Sequence, residues 1–249
     1  MLILPYVRNI TNMSNLPTIV RKEIDDSHYY WVDGVFMPSV TRILDEAAPK
    51  EYGLLNWFKN NTPEDIEATS NAAKKKGTAV HDACEQLLNG IEIRLADYPV
   101  ESKKLIARFY DWYKLYQPKN YQTEQTVASV SNKFAGTLDF IGELNGKKVL
   151  IDFKTNKSAV YFSNKLQIMA YKHAYEEMYE EKIDECYILR LGSQHKAGYE
   201  FKLIDDVTFD DFLNIYETYL RMHGGIIPEP PTVEAYPETL KLEIISLKK

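Results

Sequence analysis

The dipeptide Asn145-Gly146 lies between two strand-like runs, Phe134–Leu144 and Lys147–Lys154, and constrains the fold more than any other feature of the chain. A type I′ turn needs positive φ at both central residues, and Asn-Gly supplies it at least cost, so a two-residue hairpin is predicted. Counting outward sets the register: Leu144 faces Lys147, Gly142 faces Val149, Phe140 faces Ile151 and Asp139 faces Asp152. Facing side chains have Cβ atoms about 5 Å apart, and like charges placed there are destabilising unless something offsets them. A divalent cation is the simplest compensator. The period of two puts Lys154 on the same face, opposite Thr137. Leu138, Phe140, Leu144, Val149, Ile151 and Phe153 are expected to bury the other face. Taken alone, an Asp–Lys pair at a strand end is usually a solvated ion pair of little energetic value. The second Asp, reached through a specific turn, sets this pair apart.

Around the hairpin the hydrophobic period switches between helix and strand. Thr18–Ile24 and Tyr29–Met37 flank Asp25-Asp26-Ser27-His28 and predict another hairpin. Ser39 is a fitting N-cap for a helix over Val40–Ala47, stopped by Pro49. Residues 50–75 predict irregular helices with a start at Thr62-Pro63-Glu64, an arm beside the core. Thr78 is expected to cap a separate helix that runs to Leu88 and ends at Asn89-Gly90. Glu101–Tyr116 is a further helix, with Leu105, Phe109, Trp112 and Tyr116 on one stripe as core candidates. Ser163–Tyr179 and Phe209–His223 read as helices, and Cys186–Leu191 and Tyr199–Ile204 as strands. The expected class is α/β, a mixed central sheet flanked by helices. The expected organisation is an N-terminal hairpin and helical arm over 1–76, a core over 77–223, and a Pro-rich extension over 224–249 with Lys241–Leu247 as an edge strand or packed terminus.

Composition narrows the function classes. With 249 residues, 45% hydrophobic and 27% charged, the chain can bury a sizeable core without covalent staples. Its two cysteines, Cys84 and Cys186, are far apart and in no CxxC pair, which excludes a disulfide scaffold, a zinc knuckle or an iron–sulfur cluster built from this chain alone. No G-x-x-x-x-G-K loop is present, so no ATP motor is expected. The apolar runs are too short to span a bilayer and Met1–Arg8 lacks the pattern of a secretory leader, which makes the cytoplasm the expected address and a membrane an unexpected partner. A net charge of −6 argues against a non-specific nucleic-acid coat but permits a local basic cleft. Leu144–His173 holds six lysines and one aspartate, and Lys74, Lys75 and Lys76 form a further run.

Two other spacings add chemistry. His81 and Glu85 are i and i+4 on one helix face, and an imidazole beside carboxylates suits manganese or magnesium, although a lone helical His is more often structural. Gln167 and Tyr171 share one face of the helix after Lys154, where an ordinary half-buried helix is the simpler reading.

The series Gly77-Thr78-Ala79-Val80-His81, Gly136-Thr137-Leu138-Asp139, Asp152-Phe153-Lys154-Thr155 and Gln167-Ile168-Met169-Ala170-Tyr171 resembles the PD-(D/E)XK nuclease superfamily. Within it, the order is similar to the RecB-type exonuclease branch, which includes CRISPR adaptation nucleases, mitochondrial single-strand exonucleases and phage exonucleases. The likeness spans residues 77–191, and Pro38-Ser39-Val40-Thr41 with Arg42-Ile43-Leu44 extends it upstream. The resemblance implies a restriction-endonuclease-like core and a magnesium- or manganese-dependent DNA exonuclease acting on single strands or ends in phage or bacterial recombination or repair. An endonuclease of the same fold, or an inactive DNA-binding or assembly module, are the alternatives. It implies that His81, Asp139, Asp152 and the Phe153 carbonyl hold the metal. Lys154 would orient water and offset phosphate charge, steadied by Gln167 and Tyr171. Strand contacts are expected from Lys74, Lys75, Lys76, Thr155, Lys157, Lys165 and Tyr171, with Tyr161 and Phe162 as weaker additions. A helicase or recombination partner would have to come from another chain.

Overall fold

A computed structural model describes residues 16–24 and 27–229. The Pro-rich stretch from Pro230, the expected element at Lys241–Leu247, the segment Met1–Arg8 and the turn residues Asp25-Asp26 lie outside the described residues. The fold is α/β. Strands β4 (Lys119–Ser129), β5 (Phe134–Leu144), β6 (Lys147–Lys154), β7 (Glu185–Arg190) and β8 (Glu200–Leu203) form one mixed sheet in sequential order. β6 and β7 are parallel and the other pairs antiparallel. Helix α5 (Phe162–Tyr179) makes the crossover that a parallel pair requires.

The sheet carries a hydrophobic layer on each face. On one side Val40, Ile43 and Leu44 of α1 (Val40–Ala47), Ile168 and Tyr175 of α5, and Phe212 and Tyr219 of α6 (Phe209–Met222) pack on Leu138, Ile141, Leu150 and Ile188. On the other, Val80 and Cys84 of α3 (Pro63–Leu88) and Phe109 and Trp112 of α4 (Val100–Tyr116) pack on Phe140, Val149, Ile151, Phe153 and Leu189. Being covered on both faces explains why β6 reads Val-Leu-Ile-Asp-Phe rather than alternating polar and apolar. Asp152 is the one charge inside that run.

The N-terminal region forms its own sheet of β1 (Ile19–Ile24), β2 (Ser27–Val32) and β3 (Val35–Met37). Its inner residues Tyr30, Val32 and Met37 pack on Ala128 and Ala135 of the main sheet. The expected single run Tyr29–Met37 is corrected to two strands, because Asp33 and Gly34 take φ of 48° and 80° and turn the chain back on itself. Ser27 and His28, expected in the preceding turn, belong to β2.

The arm is also revised. Thr62 caps α3 by accepting the Asp65 N–H, and the helix then runs for 26 residues to Leu88 without restarting at Thr78. Ala68, Ala72, Ala73 and Ala79 are good helix formers, and their sum outweighs the roughly 1 kcal/mol that Gly77 costs in a helix interior. The boundary expected between residues 76 and 77 therefore falls inside a helix. No residue of α3 before Val80 is buried, so its first half stands clear of the core together with α2 (Tyr52–Asn60), which buries none either.

Candidate active site

The Asn145-Gly146 turn forms with φ of 51° and 79° and delivers the expected pairs Leu144↔Lys147, Gly142↔Val149 and Phe140↔Ile151. The ladder stops there. Asp139 and Asp152, expected as the next pair, lie just past its end. At that point the Phe153 N–H donates to Asp139 Oδ2 at 2.6 Å, so a side chain replaces a backbone acceptor. The alternation breaks at the same place. Leu138 packs in the layer of α1, α5 and α6, whereas Phe140 packs in the opposite layer, which corrects the single apolar face expected for both. A carboxylate at this seam is free of the pleat and can turn toward α3.

Asp139 meets His81 there, with Oδ1 3.5 Å from Nδ1. A third group, missed in the sequence, completes the cluster. Glu124 on β4 sits between the pairs Thr123↔Phe140 and Gln125↔Leu138, and so comes opposite Asp139. Its φ is 49°, uncommon for a residue other than glycine within a strand, and conformations of this kind collect at functional positions. One ligand atom each from His81, Glu124 and Asp139 lies within 4.8 Å of the others. One nitrogen and two carboxylates fit magnesium or, more readily, manganese.

Electrostatics show how crowded the cluster is. Burial, then Asp139, then Glu85 push the Glu124 pKa up to about 7. Burial works against charge on His81, but the Asp139 carboxylate outweighs it and raises the imidazole. Burial works against charge on Asp139 as well, and His81, Lys154 and the Phe153 N–H overcome it and hold the carboxyl below its usual range. No signal short of the tertiary fold marks Glu124, because Gln122, Glu124 and Thr126 read as the polar face of an ordinary strand.

Asp152 is held separately. It is 3% exposed, and burial together with Asp139 raises its pKa to about 6 despite the opposing pull of Lys154. Lys154 Nζ donates to Asp152 Oδ1 and Gln167 Oε1, both at 2.9 Å. Burial would lower the Lys154 pKa, but Asp152 and Asp139 outweigh it and keep the ammonium charged. Gln167 in turn donates from Nε2 to Tyr171 Oη at 3.0 Å. The i, i+4 pair expected on α5 is therefore a support for Lys154.

Tyr171 is 4% exposed, which takes it out of reach of a bound strand and corrects its expected strand contact. Its ring lies against Gly136, where an added Cβ would come within 2.4 Å of Cε1. Gly136→Ala is therefore expected to displace the ring, destabilise the protein by about 1–3 kcal/mol and lower any Lys154-dependent activity. Thermal melts read beside activity check this, and an unchanged melting temperature would count against the contact.

The expected strand-contact residues divide. Lys74, on the His81 face of α3 two turns earlier, and Lys75 are exposed, and Lys76 is half-buried. Thr155 is half-buried at the end of β6, beside Gly77. Lys157 is exposed, 3.8 Å from Glu101. Lys165 is ion-paired with Asp206, so its charge is already matched. The Tyr161 N–H donates to Asn164 Oδ1 at the start of α5 and its hydroxyl bonds with Ser158 Oγ, while the Phe162 N–H donates to Glu51 at the foot of α2.

No family model matches this chain, and no curated protein matches it. Among solved structures it is similar to one titled "Crystal structure of SSO0001", at 16% identity and a TM-score of 0.33, over 57% of this chain and 84% of that one. Among the described residues, no helix is long and apolar enough to cross a membrane.

Proposed function

We propose that the protein is a metal-dependent DNA exonuclease that acts on single strands or DNA ends in phage or bacterial recombination or repair. The observation that carries this reading is a charged, half-buried Lys154, held by Asp152 and Gln167 beside the His81–Glu124–Asp139 group. Phosphodiester hydrolysis needs an activated water and cover for charge growing on the phosphate. When bound, magnesium or manganese supplies Lewis-acid charge at the phosphate oxygens. His81, Glu124 and Asp139 would hold it, with Asp152 and the Phe153 carbonyl as further ligands. Lys154, already positioned before substrate arrives, orients the water and stabilises the developing negative charge without reorganising. Gln167 and Tyr171 restrain that ammonium. Lys74, Lys75, Lys76, Thr155 and Lys157 guide the backbone toward the site, an attraction that salt weakens.

The test uses linear single strands, linear duplex and closed circular DNA with manganese or magnesium. Loss of linear substrates from their ends, with the circle intact, is the expected result. Cutting of the closed circle would replace the exonuclease with an endonuclease, and inertness toward all three would remove the nuclease reading.

A further inference from the structure

The N-terminal sheet does more than cover the core. Arg21 on β1 pairs with Tyr30, and its guanidinium reaches the seam of the main sheet. Nη1 lies 3.8 Å from Glu124 Oε2 and 3.4 Å from Thr137 Oγ1. Nη2 lies 2.8 Å from His28 Nε2. The guanidinium has donors only, so His28 Nε2 accepts this bond. The guanidinium is thereby fixed in one orientation. Beside it, Thr137 Oγ1 is 3.0 Å from Tyr30 Oη and 3.4 Å from Thr126 Oγ1. One oriented guanidinium, with the Thr137 hydroxyl beside it, thus stands at the flank of the His81–Glu124–Asp139 group, and the Tyr30 and Thr126 hydroxyls support Thr137.

We propose that Arg21 is a phosphate-holding residue, delivered by the N-terminal sheet to a backbone phosphate next to the one attacked. This rests on the nuclease reading of the same site. Arg21 has five N–H donors and pairs planar anions in forked fashion. A cation held by Glu124 takes that carboxylate's charge away from the guanidinium and leaves it oriented toward a second anion. Phosphate meets the geometry, because its oxygens accept from a guanidinium and from a neighbouring hydroxyl such as that of Thr137 together. Lys154, held by Asp152 and Gln167, already has its role at the attacked phosphate. A purely structural Arg21 would instead hold β1 to β4 and have no effect on how binding responds to salt.

The deciding measurement is the affinity of a labelled single-stranded oligonucleotide at several salt concentrations, with calcium present and cleavage confirmed to be off. Removing one cation that neutralises a single-strand phosphate reduces the slope of log affinity against log salt by about 0.7. Arg21→Ala is expected to show that reduction and roughly ten-fold weaker binding. Arg21→Lys, which keeps the charge and loses the fork, should restore the slope and only part of the affinity. Unchanged slope in Arg21→Ala, with the wild type binding normally, overturns the proposal and leaves the nuclease reading intact. A wild type that binds no oligonucleotide overturns both. Circular dichroism and melting of each variant show that the sheet is still folded, and loss of fold in Arg21→Ala moves the decision to Arg21→Lys, where an unchanged affinity overturns the forked contact.

Discussion

Lys154→Met is expected to lower DNA cleavage by about 10²–10³-fold, the scale on which removing one preoriented group from a transition state is felt. The same change leaves Asp152 buried without its cation. Truncating one partner of a buried pair costs about 3–5 kcal/mol, so the variant should also be markedly less stable at neutral pH. The two effects separate in the double variant Asp152→Asn with Lys154→Met. Both members of the pair are then neutral, much of the lost stability should return, and cleavage should stay absent. Thermal unfolding and cleavage measured on the single and double variants check this. Wild-type cleavage in Lys154→Met would place the chemistry elsewhere.

Glu124→Gln carries the second large expectation, because Glu124 is both a ligand candidate and a repelled charge. In the fold its pKa is about 7, against an ordinary carboxyl value of 4.5. A carboxylate whose pKa rises on folding opposes the fold when ionised. That cost is full above pH 7 and fades as the pH falls toward the unfolded value, and Asp152, at about 6, adds in the same direction. The metal-free wild type should therefore become more stable as the pH falls from 8 to 5, and Glu124→Gln should flatten that trend. Metal has the opposite dependence on this side chain. If the substitution weakens manganese binding about 100-fold, a concentration that saturates the wild type loses about 2.7 kcal/mol of stabilisation, equivalent to roughly 5–10 °C in melting temperature. Melting curves with and without manganese across this pH range test both arms. An unchanged manganese shift in Glu124→Gln would remove it from the ligand set.

Both expectations depend on a site that was only partly legible in the chain. The Asn145-Gly146 turn sets the register of β5 and β6 through local φ preference alone, and the caps Ser39 and Thr62 set helix starts by satisfying backbone donors nearby. Asp152 with Lys154, and Gln167 with Tyr171, share a face as their spacing suggests, because the periods of strand and helix are short-range properties, whereas the meeting of Lys154 with Gln167 needed α5 to pack on the sheet. The pairing of Asp139 did not follow from counting. Counting assumes that a ladder continues, and this one ends where the Asp139 carboxylate takes the Phe153 N–H.

Local chemistry thus determined the hairpin, the helix starts at Ser39 and Thr62, and the pairs Asp152–Lys154 and Gln167–Tyr171. Only the tertiary structure decided the partners of Asp139 and the place of Arg21. His81, Glu124 and Asp139 come from a helix and two strands, and Arg21 from a separate sheet far earlier in the chain than Glu124. Their meeting is settled by how α3 and the N-terminal sheet pack on the main sheet, through burial of Val80, Cys84, Tyr30 and Met37. Hydrophobic packing is non-directional and long-range in sequence, so no local pattern could announce which polar side chains it would leave side by side.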